Sequence, residues 1–217
     1  MLEKMNDFFT ARVDGYDEHM RTNIEGASTF YEFTASLLPK DKAKVLDLGC
    51  GTGLELEEYF KVSPDADVTG IDLTEAMLNA LKSKFPSKKL NLICGSYFDV
   101  PFGENAFDAA VSVESLHHFM RDKKLGLYKK LHEALKENGY FILTDYFAES
   151  EELETEYFNN LAEIKRAEGL SEDEFFHYDT PLTVDHEIEI LKEAGFSKVE
   201  KLEQWESTWT LRATKYI

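Results

Sequence analysis

The 217-residue chain is poor in cysteine and in positive charge. Its two cysteines, Cys50 and Cys94, are too few for a disulfide framework and do not have the spacing of metal ligands. Lysine and arginine number 24 against 42 aspartates and glutamates, which gives a formal net charge of −18. Such a surface repels polyanions at long range, so we expect no nucleic-acid partner.

The sequence also has no long apolar run. None approaches the roughly 20 residues of a membrane span, and the first residues lack the basic and apolar parts of a secretory signal. We therefore expect a cytoplasmic protein with no membrane contact. An apolar content of 43% is enough for one core, so we expect a single domain over residues 1–217, as a monomer or a homodimer.

Three glycines at alternate positions form a predicted turn between a strand and a helix. The apolar run 45–48 predicts a buried parallel strand that stops at Gly49, and a helix is predicted to begin at Leu54. Gly49, Gly51 and Gly53 lack the Cβ atoms that would keep a ligand away from the backbone. Because a helix N-terminus also presents free N–H groups, this junction predicts a nucleotide or nucleoside site.

The spacing of the turn excludes two common ligands. A dinucleotide fingerprint requires a third glycine where Leu54 or Leu56 stands. A P-loop requires Lys and then Ser or Thr at the helix start, where this chain has Leu54 and Glu55. A nucleoside ligand without phosphate remains.

The segment 45–53, with an acidic residue two places before the first glycine, resembles the first motif of class I S-adenosylmethionine-dependent methyltransferases. The resemblance implies an α/β fold with a doubly wound, mostly parallel, seven-stranded Rossmann-like sheet, a C-terminal antiparallel hairpin and helical lid segments. It also implies S-adenosylmethionine as the cofactor and in-line methyl transfer to a small-molecule acceptor. In that family the glycine turn passes under the methionine part of the cofactor, and the acid, here Asp47, helps to place its ammonium group.

Further cofactor contacts are predicted after the second and third strands. Asp72 ends a strand about twenty residues past the glycines, where a carboxylate can accept both ribose hydroxyls; alternatively it only caps the next helix, for which Thr74 is better placed. Ser96 stands where family members often carry an acid for adenine. The predicted cofactor-binding residues are Arg12, Tyr16, Asp47, Gly49, Cys50, Gly51, Gly53, Asp72, Leu73, Met77, Ser96, Tyr97 and Glu114.

The end of the fourth strand, predicted over 106–113, supplies the candidate catalytic residues. Ligands bind at the carboxyl ends of strands beside the switch point of an open parallel sheet, so residues 114–119 should face the methyl group or the acceptor. Neutral His117 or His118 could act as a general base, although one of them could instead pack inward. Two adjacent histidines without a third ligand at useful spacing predict no metal site.

The remaining segments are assigned by pattern. Residues 1–40 predict a helical lid of two helices with Ala11–His19 between them, and 41–147 form the cofactor-binding core. Asp122 should cap a helix that closes at Asn138–Gly139. The acidic stretch 148–182 predicts a helical insertion that acts as a lid or a fixed rim. Thr183 then starts the last helix, and 183–217 end in a hairpin whose first strand carries a bulge.

Two other functions stay open at this stage. The chain could be a binding module that keeps the cofactor fold without turnover. It could instead use a modified cofactor, such as a carboxylated S-adenosylmethionine, which requires cations near the methyl position. Arg12 is the nearest candidate for such a cation, although it could equally be a solvated side chain.

Overall fold

The computed structural model describes residues 1–40, 42–171 and 174–216. Parts of the predicted segments 41–147, 148–182 and 183–217 therefore lie outside the described residues, at Asp41, Glu172, Asp173 and Ile217. Helices and strands alternate through most of the chain, in the order α1 Met5–Asn23, α2 Ala27–Leu37, β1 Lys44–Leu48, α3 Leu54–Val62, β2 Asp67–Asp72, α4 Glu75–Lys84, β3 Lys89–Cys94, β4 Phe107–Val113, α5 Arg121–Ala134, β5 Leu135–Tyr146, α6 Glu151–Glu168, α7 Val184–Glu193, β6 Lys198–Trp205 and β7 Thr208–Thr214.

All seven strands form one sheet in the order β3-β2-β1-β4-β5-β7-β6. Strands β1 to β5 are parallel to one another, and β7 runs antiparallel to both β5 and β6. The chain moves outward from β1 to β3 and then crosses back to β4 on the other side of β1. This switch brings the carboxyl ends of β1 and β4 together, and it is the position where open parallel sheets bind ligands. The predicted fold class is confirmed.

The sheet carries a hydrophobic layer on each face. Leu46, Leu48 and Ala110 face one cluster, whereas Val45 and Val111 face the other, and all five are buried. Burial on both faces explains why β1 and β4 consist mostly of apolar residues with little alternation of polarity. These two strands therefore give the loops at their carboxyl ends a rigid base.

Three local predictions were wrong. Ala11–His19 does not separate two helices but lies within α1. Asp122 occupies the first turn of α5 and Met120 the N-cap position. That helix ends at Ala134, because Leu135 pairs with Phe107 and Tyr140 with Ala109, so Asn138–Gly139 belongs to an irregularity within β5.

Two predictions at the end of the chain are confirmed. The Thr183 side chain caps α7 by accepting a hydrogen bond at 3.3 Å from the backbone N–H of His186. The first hairpin strand carries a bulge, since the register with β7 shifts between Lys201 and Glu203. Thr74 differs from Thr183. It occupies the N-cap position of α4, but its side chain makes no capping hydrogen bond with the helix backbone.

The described residues also contain an ion pair that joins α5 to α7. Lys124 Nζ donates to Glu187 Oε2 at 2.6 Å, and Tyr128 donates its hydroxyl proton to the other carboxylate oxygen. Both members of the ion pair are fully buried. Removal of one partner would leave an uncompensated charge in the core, so the pair fixes how these helices pack.

Candidate cofactor and acceptor site

The glycine turn after β1 is tied to the end of β2. Gly49, Gly51 and Gly53 have positive φ values of 74°, 45° and 77°, which residues with a Cβ adopt at a cost. Gly51 donates its backbone N–H to Asp72 Oδ2 at 2.9 Å, and Thr74 donates its own to Asp72 Oδ1 at 2.8 Å. Burial raises the pKa of Asp72, and these two hydrogen bonds oppose the rise. Each carboxylate oxygen keeps a second acceptor position.

The three glycines serve different purposes. A Cβ at Gly51 would have only Tyr16 Cε1 and the Gly49 carbonyl oxygen near it, at 3.9 and 4.0 Å, so this position opens onto free space. A Cβ at Gly49 would collide with the Ser115 side chain at 2.2 Å. A Cβ at Gly53 would press on Leu81 at 3.2 Å. Only Gly51 has the open surroundings that a ligand requires.

A cleft lies over this turn, between the carboxyl ends of β1, β2 and β4. Its lining combines the turn with residues of the lid segments, namely Met5, Phe9, Tyr16, Gly49, Gly51, Asp72, Leu73, Thr74, Met77, Gly95, Ser96, Tyr97, Phe98, Glu114, Ser115, His118, Phe119 and Phe175. The cleft has a volume of about 60 Å³, and aromatic side chains from α1 and from the chain after α6 contribute to its lining.

Most of the predicted cofactor residues meet at this cleft. Those that line it are Tyr16, Gly49, Gly51, Asp72, Leu73, Met77, Ser96, Tyr97 and Glu114. The structure places Asp47, Cys50 and Gly53 outside the lining. Asp47 lies beneath the turn and is 1% exposed. Burial raises the pKa of Asp47 well above its usual range, and the charge of Glu55 raises it further. Cys50 packs against Gly70, where a Cβ would lie 2.7 Å from its Sγ.

A second, larger cavity adjoins the cleft and has a volume of about 530 Å³. Its lining comes from α1 and from the loops after β4 and α6, namely Phe8, Phe9, Arg12, Gly15, Tyr16, His19, Met20, Ile24, Glu114, His117, His118, His177 and Asp179. Four of these residues, Phe9, Tyr16, Glu114 and His118, also line the cleft. A cavity of this size fits a small molecule.

The buried carboxylate of Asp145 contacts the His117 ring. His117 Nδ1 lies 2.5 Å from Asp145 Oδ1, and Asp145 Oδ2 accepts the backbone N–H of Leu116 at 2.9 Å. Burial opposes protonation of His117, but the Asp145 carboxylate outweighs it and raises the pKa to about 9. For Glu114, burial raises the pKa to about 7.

His118 and Asp179 form a second contact across the cavity. His118 Nδ1 lies 3.1 Å from Asp179 Oδ1. Burial and the neighbouring His117 charge lower the pKa of His118 to about 4. Burial would raise the pKa of Asp179, but its contacts with the histidines lower it to about 2. Both predicted catalytic histidines thus border the second cavity.

Arg12 lies at the rim of the second cavity and does not line the cleft. Its Nη1 contacts Glu3 Oε1 at 3.2 Å and the Phe8 carbonyl at 3.0 Å, and its guanidinium covers the Phe8 ring at 3.7 Å. These contacts engage the positive charge of Arg12 in this structure. Its contact with the cofactor stays a prediction.

The two predicted lid segments are joined over the cleft by backbone pairing. Met5 donates its N–H to the Phe175 carbonyl at 3.0 Å, and His177 donates its N–H to the Glu3 carbonyl at 3.0 Å. The His177 ring also stacks on Phe8, with centroids 3.5 Å apart. The two segments are therefore hydrogen-bonded to each other beside the cleft.

Sequence reasoning missed several residues of the site. Asp145 was open to prediction, because it ends β5 beside β4 and so shares an edge of the sheet with His117. Asp179 could not be predicted, because no sequence pattern distinguishes it from the many other acidic residues in 149–179. The aromatic residues Phe9 and Phe175 gave only a helical or apolar pattern.

The chain is similar to known methyltransferases. Residues 46–143 match the family model of a methyltransferase domain. The chain is 28% identical to a carboxy-S-adenosyl-L-methionine synthase from Nautilia profundicola over 97% of its own length and 90% of that protein. It is 26% identical to the O-methyltransferase CnsE from Penicillium expansum, over 92% of this chain and 72% of that one. A methyltransferase structure from Thermotoga maritima superposes with a TM-score of 0.68 at 19% identity, covering 97% of this chain and 99% of that one.

Residues 46–143 thus resemble a methyltransferase domain. The similarity to methyltransferases supports S-adenosylmethionine-dependent methyl transfer as the activity and S-adenosylmethionine as the cofactor. None of the helices in the described part of the chain combines the length and the apolar character that crossing a bilayer requires.

Proposed function

We propose that this enzyme transfers the methyl group of S-adenosylmethionine, bound in the cleft, to a small molecule bound in the second cavity. The observation that carries the proposal is the shared wall: Phe9, Tyr16, Glu114 and His118 line both spaces. A methyl group passes directly between two molecules only if their reacting atoms are in contact. Two adjoining cavities with one boundary provide that arrangement, and orientation of this kind can supply about 7–11 kcal/mol of the barrier.

The residues of the cleft fit the cofactor. Asp72 keeps an acceptor position on each oxygen for the ribose hydroxyls. The open space at Gly51 admits the ligand close to the backbone, and Tyr16 covers it from α1. Leu73, Met77 and Ser96 provide an apolar slot with one hydroxyl for the adenine ring. The cofactor supplies a methyl group on a sulfonium that is already a good leaving group.

The second cavity favours a small acceptor that carries an aromatic or apolar part. Phe8, Phe9 and Met20 supply apolar surface, whereas His117, His118 and Glu114 supply polar groups near the shared wall. The acceptor's reacting atom would therefore lie beside the two predicted catalytic histidines. A cytoplasmic location is proposed with the same function, because that is where small-molecule acceptors of this kind and the cofactor meet.

A second candidate is the formation or use of a carboxylated S-adenosylmethionine. The likeness to carboxy-S-adenosyl-L-methionine synthases over nearly the whole chain favours it. Against it, Arg12 is the only lysine or arginine in the described linings of the two cavities, and Glu3 and Phe8 already hold its guanidinium. We therefore place methyl transfer first.

Native mass spectrometry of the protein as purified separates the two candidates. We expect unmodified S-adenosylmethionine or S-adenosylhomocysteine in the complex. A bound cofactor heavier by one CO₂ would overturn the preference and favour the second candidate. A protein that binds neither form would contradict both.

Two matched variants then test the division into cleft and cavity. Leu73→Trp fills the cleft and should abolish binding of S-adenosylhomocysteine in calorimetric titration. His19→Trp fills the second cavity and should leave that binding unchanged while lowering methyl transfer to any acceptor found in a substrate panel. If His19→Trp weakened cofactor binding as much as Leu73→Trp, the assignment of the two spaces would be wrong.

A further inference from the structure

Three potential metal ligands meet where the second cavity ends against the sheet. His117 and His118 follow β4, and Asp179 comes from the segment after α6. One ligand atom from each residue lies within 4.8 Å of the other two. The sequence predicted no metal site because two adjacent histidines lacked a third ligand. The fold supplies that ligand from a position some sixty residues further along the chain.

The separations between these atoms suit one bound ion. Ligand atoms at 2.0–2.1 Å from a zinc-like ion in tetrahedral geometry lie about 3.3 Å apart. Asp179 Oδ1 lies 3.1 Å from His118 Nδ1 and 3.6 Å from His117 Nε2. These two distances bracket the required value, and the third separation, between the two histidine nitrogens, is within 4.8 Å.

A second carboxylate orients the first histidine. Because Asp145 Oδ1 contacts His117 Nδ1 at 2.5 Å, the other ring nitrogen of His117 is directed towards Asp179. Histidines that bind metals almost always have such a partner on their second nitrogen, which fixes the ring and makes it a better ligand. The backbone is fixed as well, since Thr180 donates its N–H to the His117 carbonyl at 2.8 Å.

The cluster is open towards the acceptor. The Asp179 side chain is 44% exposed, whereas His117 and His118 are 10% and 5% exposed. An ion held by these residues would thus keep free coordination positions on the cavity side. Three protein ligands with an open position are typical of metal sites that act on a substrate.

We propose that His117 Nε2, His118 Nδ1 and the Asp179 carboxylate bind one divalent first-row transition-metal ion, whose open position receives an oxygen atom of the acceptor. Bound there, the ion would polarise that oxygen next to the cofactor's methyl group. The catalytic part of this proposal rests on the proposed function, whereas metal binding itself does not. The substrate class it implies is a hydroxylated or carbonyl-bearing small molecule.

The test uses the full-length protein without an affinity tag, stripped with a chelator and titrated with Zn²⁺ by calorimetry and with Co²⁺ by visible absorption. We expect one ion per chain and d–d bands from Co²⁺. His118→Ala and Asp179→Ala should each weaken Zn²⁺ binding by at least about tenfold, and Asp145→Asn should weaken it by about 10–100-fold through the orientation of His117. Far-ultraviolet circular dichroism checks that each variant is folded.

His177→Ala and His19→Ala are the matched controls, because both residues line the same cavity but lie outside the ligand group. Their Zn²⁺ affinity should equal that of the wild type. The proposal is overturned if the wild type takes up no ion, or if the controls lose affinity as much as His118→Ala. Binding of S-adenosylhomocysteine is measured on the same samples and separates the two claims. If the wild type bound Zn²⁺ but not S-adenosylhomocysteine, the proposed function alone would be contradicted.

Discussion

Asp72 accepts the backbone N–H of Gly51 at 2.9 Å, so the acidic end of β2 holds the glycine turn of β1 in place. The same carboxylate holds Thr74 at the start of α4. One side chain therefore fixes two loops and still faces the cleft with spare acceptor capacity. Its position would allow a single acid to hold the turn and to form the proposed ribose site.

Substitution of Asp72 tests the ribose assignment. We expect Asp72→Ala to weaken binding of S-adenosylhomocysteine by about 1.5–3 kcal/mol, because charge-assisted hydrogen bonds are lost, and Asp72→Asn to cost less. Isothermal titration calorimetry measures both. Asp67→Asn, at the opposite end of the same strand, is the control and should bind normally. An unchanged dissociation constant in Asp72→Ala would contradict the assignment.

Gly51→Val should abolish cofactor binding with at most a modest loss of helix content. The added side chain would fill the only open position of the turn, and its φ of 45° adds some strain. Gly103→Val provides a matched control, since Gly103 also has a positive φ, 79°, and has nothing within 4 Å of a Cβ. Calorimetry and circular dichroism compare the two. Normal binding by Gly51→Val would mean that this glycine serves only the turn.

Hydrogen exchange tests whether 6–23 and 149–179 act as lids. Phe9 and Phe175 bring both segments to the lining of the cleft, and lid segments open from the less stable parts of a structure. Amides near Tyr16 and Phe175 should therefore exchange quickly in the free protein and slow together when S-adenosylhomocysteine binds. Helix α7 is the internal control. Slow exchange without ligand, unaffected by its addition, would show that these segments are a fixed rim.

Two histidines outside the site should give opposite pH dependences of stability. His186 Nδ1 lies 2.9 Å from Glu154, and this hydrogen bond raises the pKa of His186. Its stabilisation is fully present below the pKa of about 6.5 in the unfolded chain and is lost as pH rises through the higher folded value. His132 has the opposite shift, because burial lowers its pKa. Its contribution is present above about pH 6.5 and is lost as pH falls.

Urea unfolding of His186→Gln and His132→Gln between pH 5.5 and 9 measures these trends. His186→Gln should destabilise the protein more at the acidic end, and His132→Gln more at the alkaline end. The effect at His186 should stay below about 1 kcal/mol, because its side chain is 32% exposed and solvent screens the pair. Parallel pH dependences in the two variants would contradict the shifts.

The sequence was sufficient to predict elements that depend on local patterns. The strands 67–72 and 106–113 follow from apolar runs bounded by turns, and the glycine turn follows from its spacing. The end of α5 could not be predicted, because Leu135 leaves the helix only to pair with Phe107 in a distant strand. Asp179 and the pair Lys124–Glu187 were equally hidden, since only the fold brings them to their partners. Long-range contacts of this kind leave no trace in periodicity.

The charge of the cleft has a consequence for the reaction cycle. Asp72 and Glu114 line it, and its described lining includes no lysine or arginine. S-adenosylmethionine carries a sulfonium charge that disappears when the methyl group leaves. Attraction by the acidic lining is therefore stronger before the transfer than after it. For a cofactor bound in the cleft as proposed, this lining should bind S-adenosylmethionine more strongly than S-adenosylhomocysteine, which would weaken product inhibition.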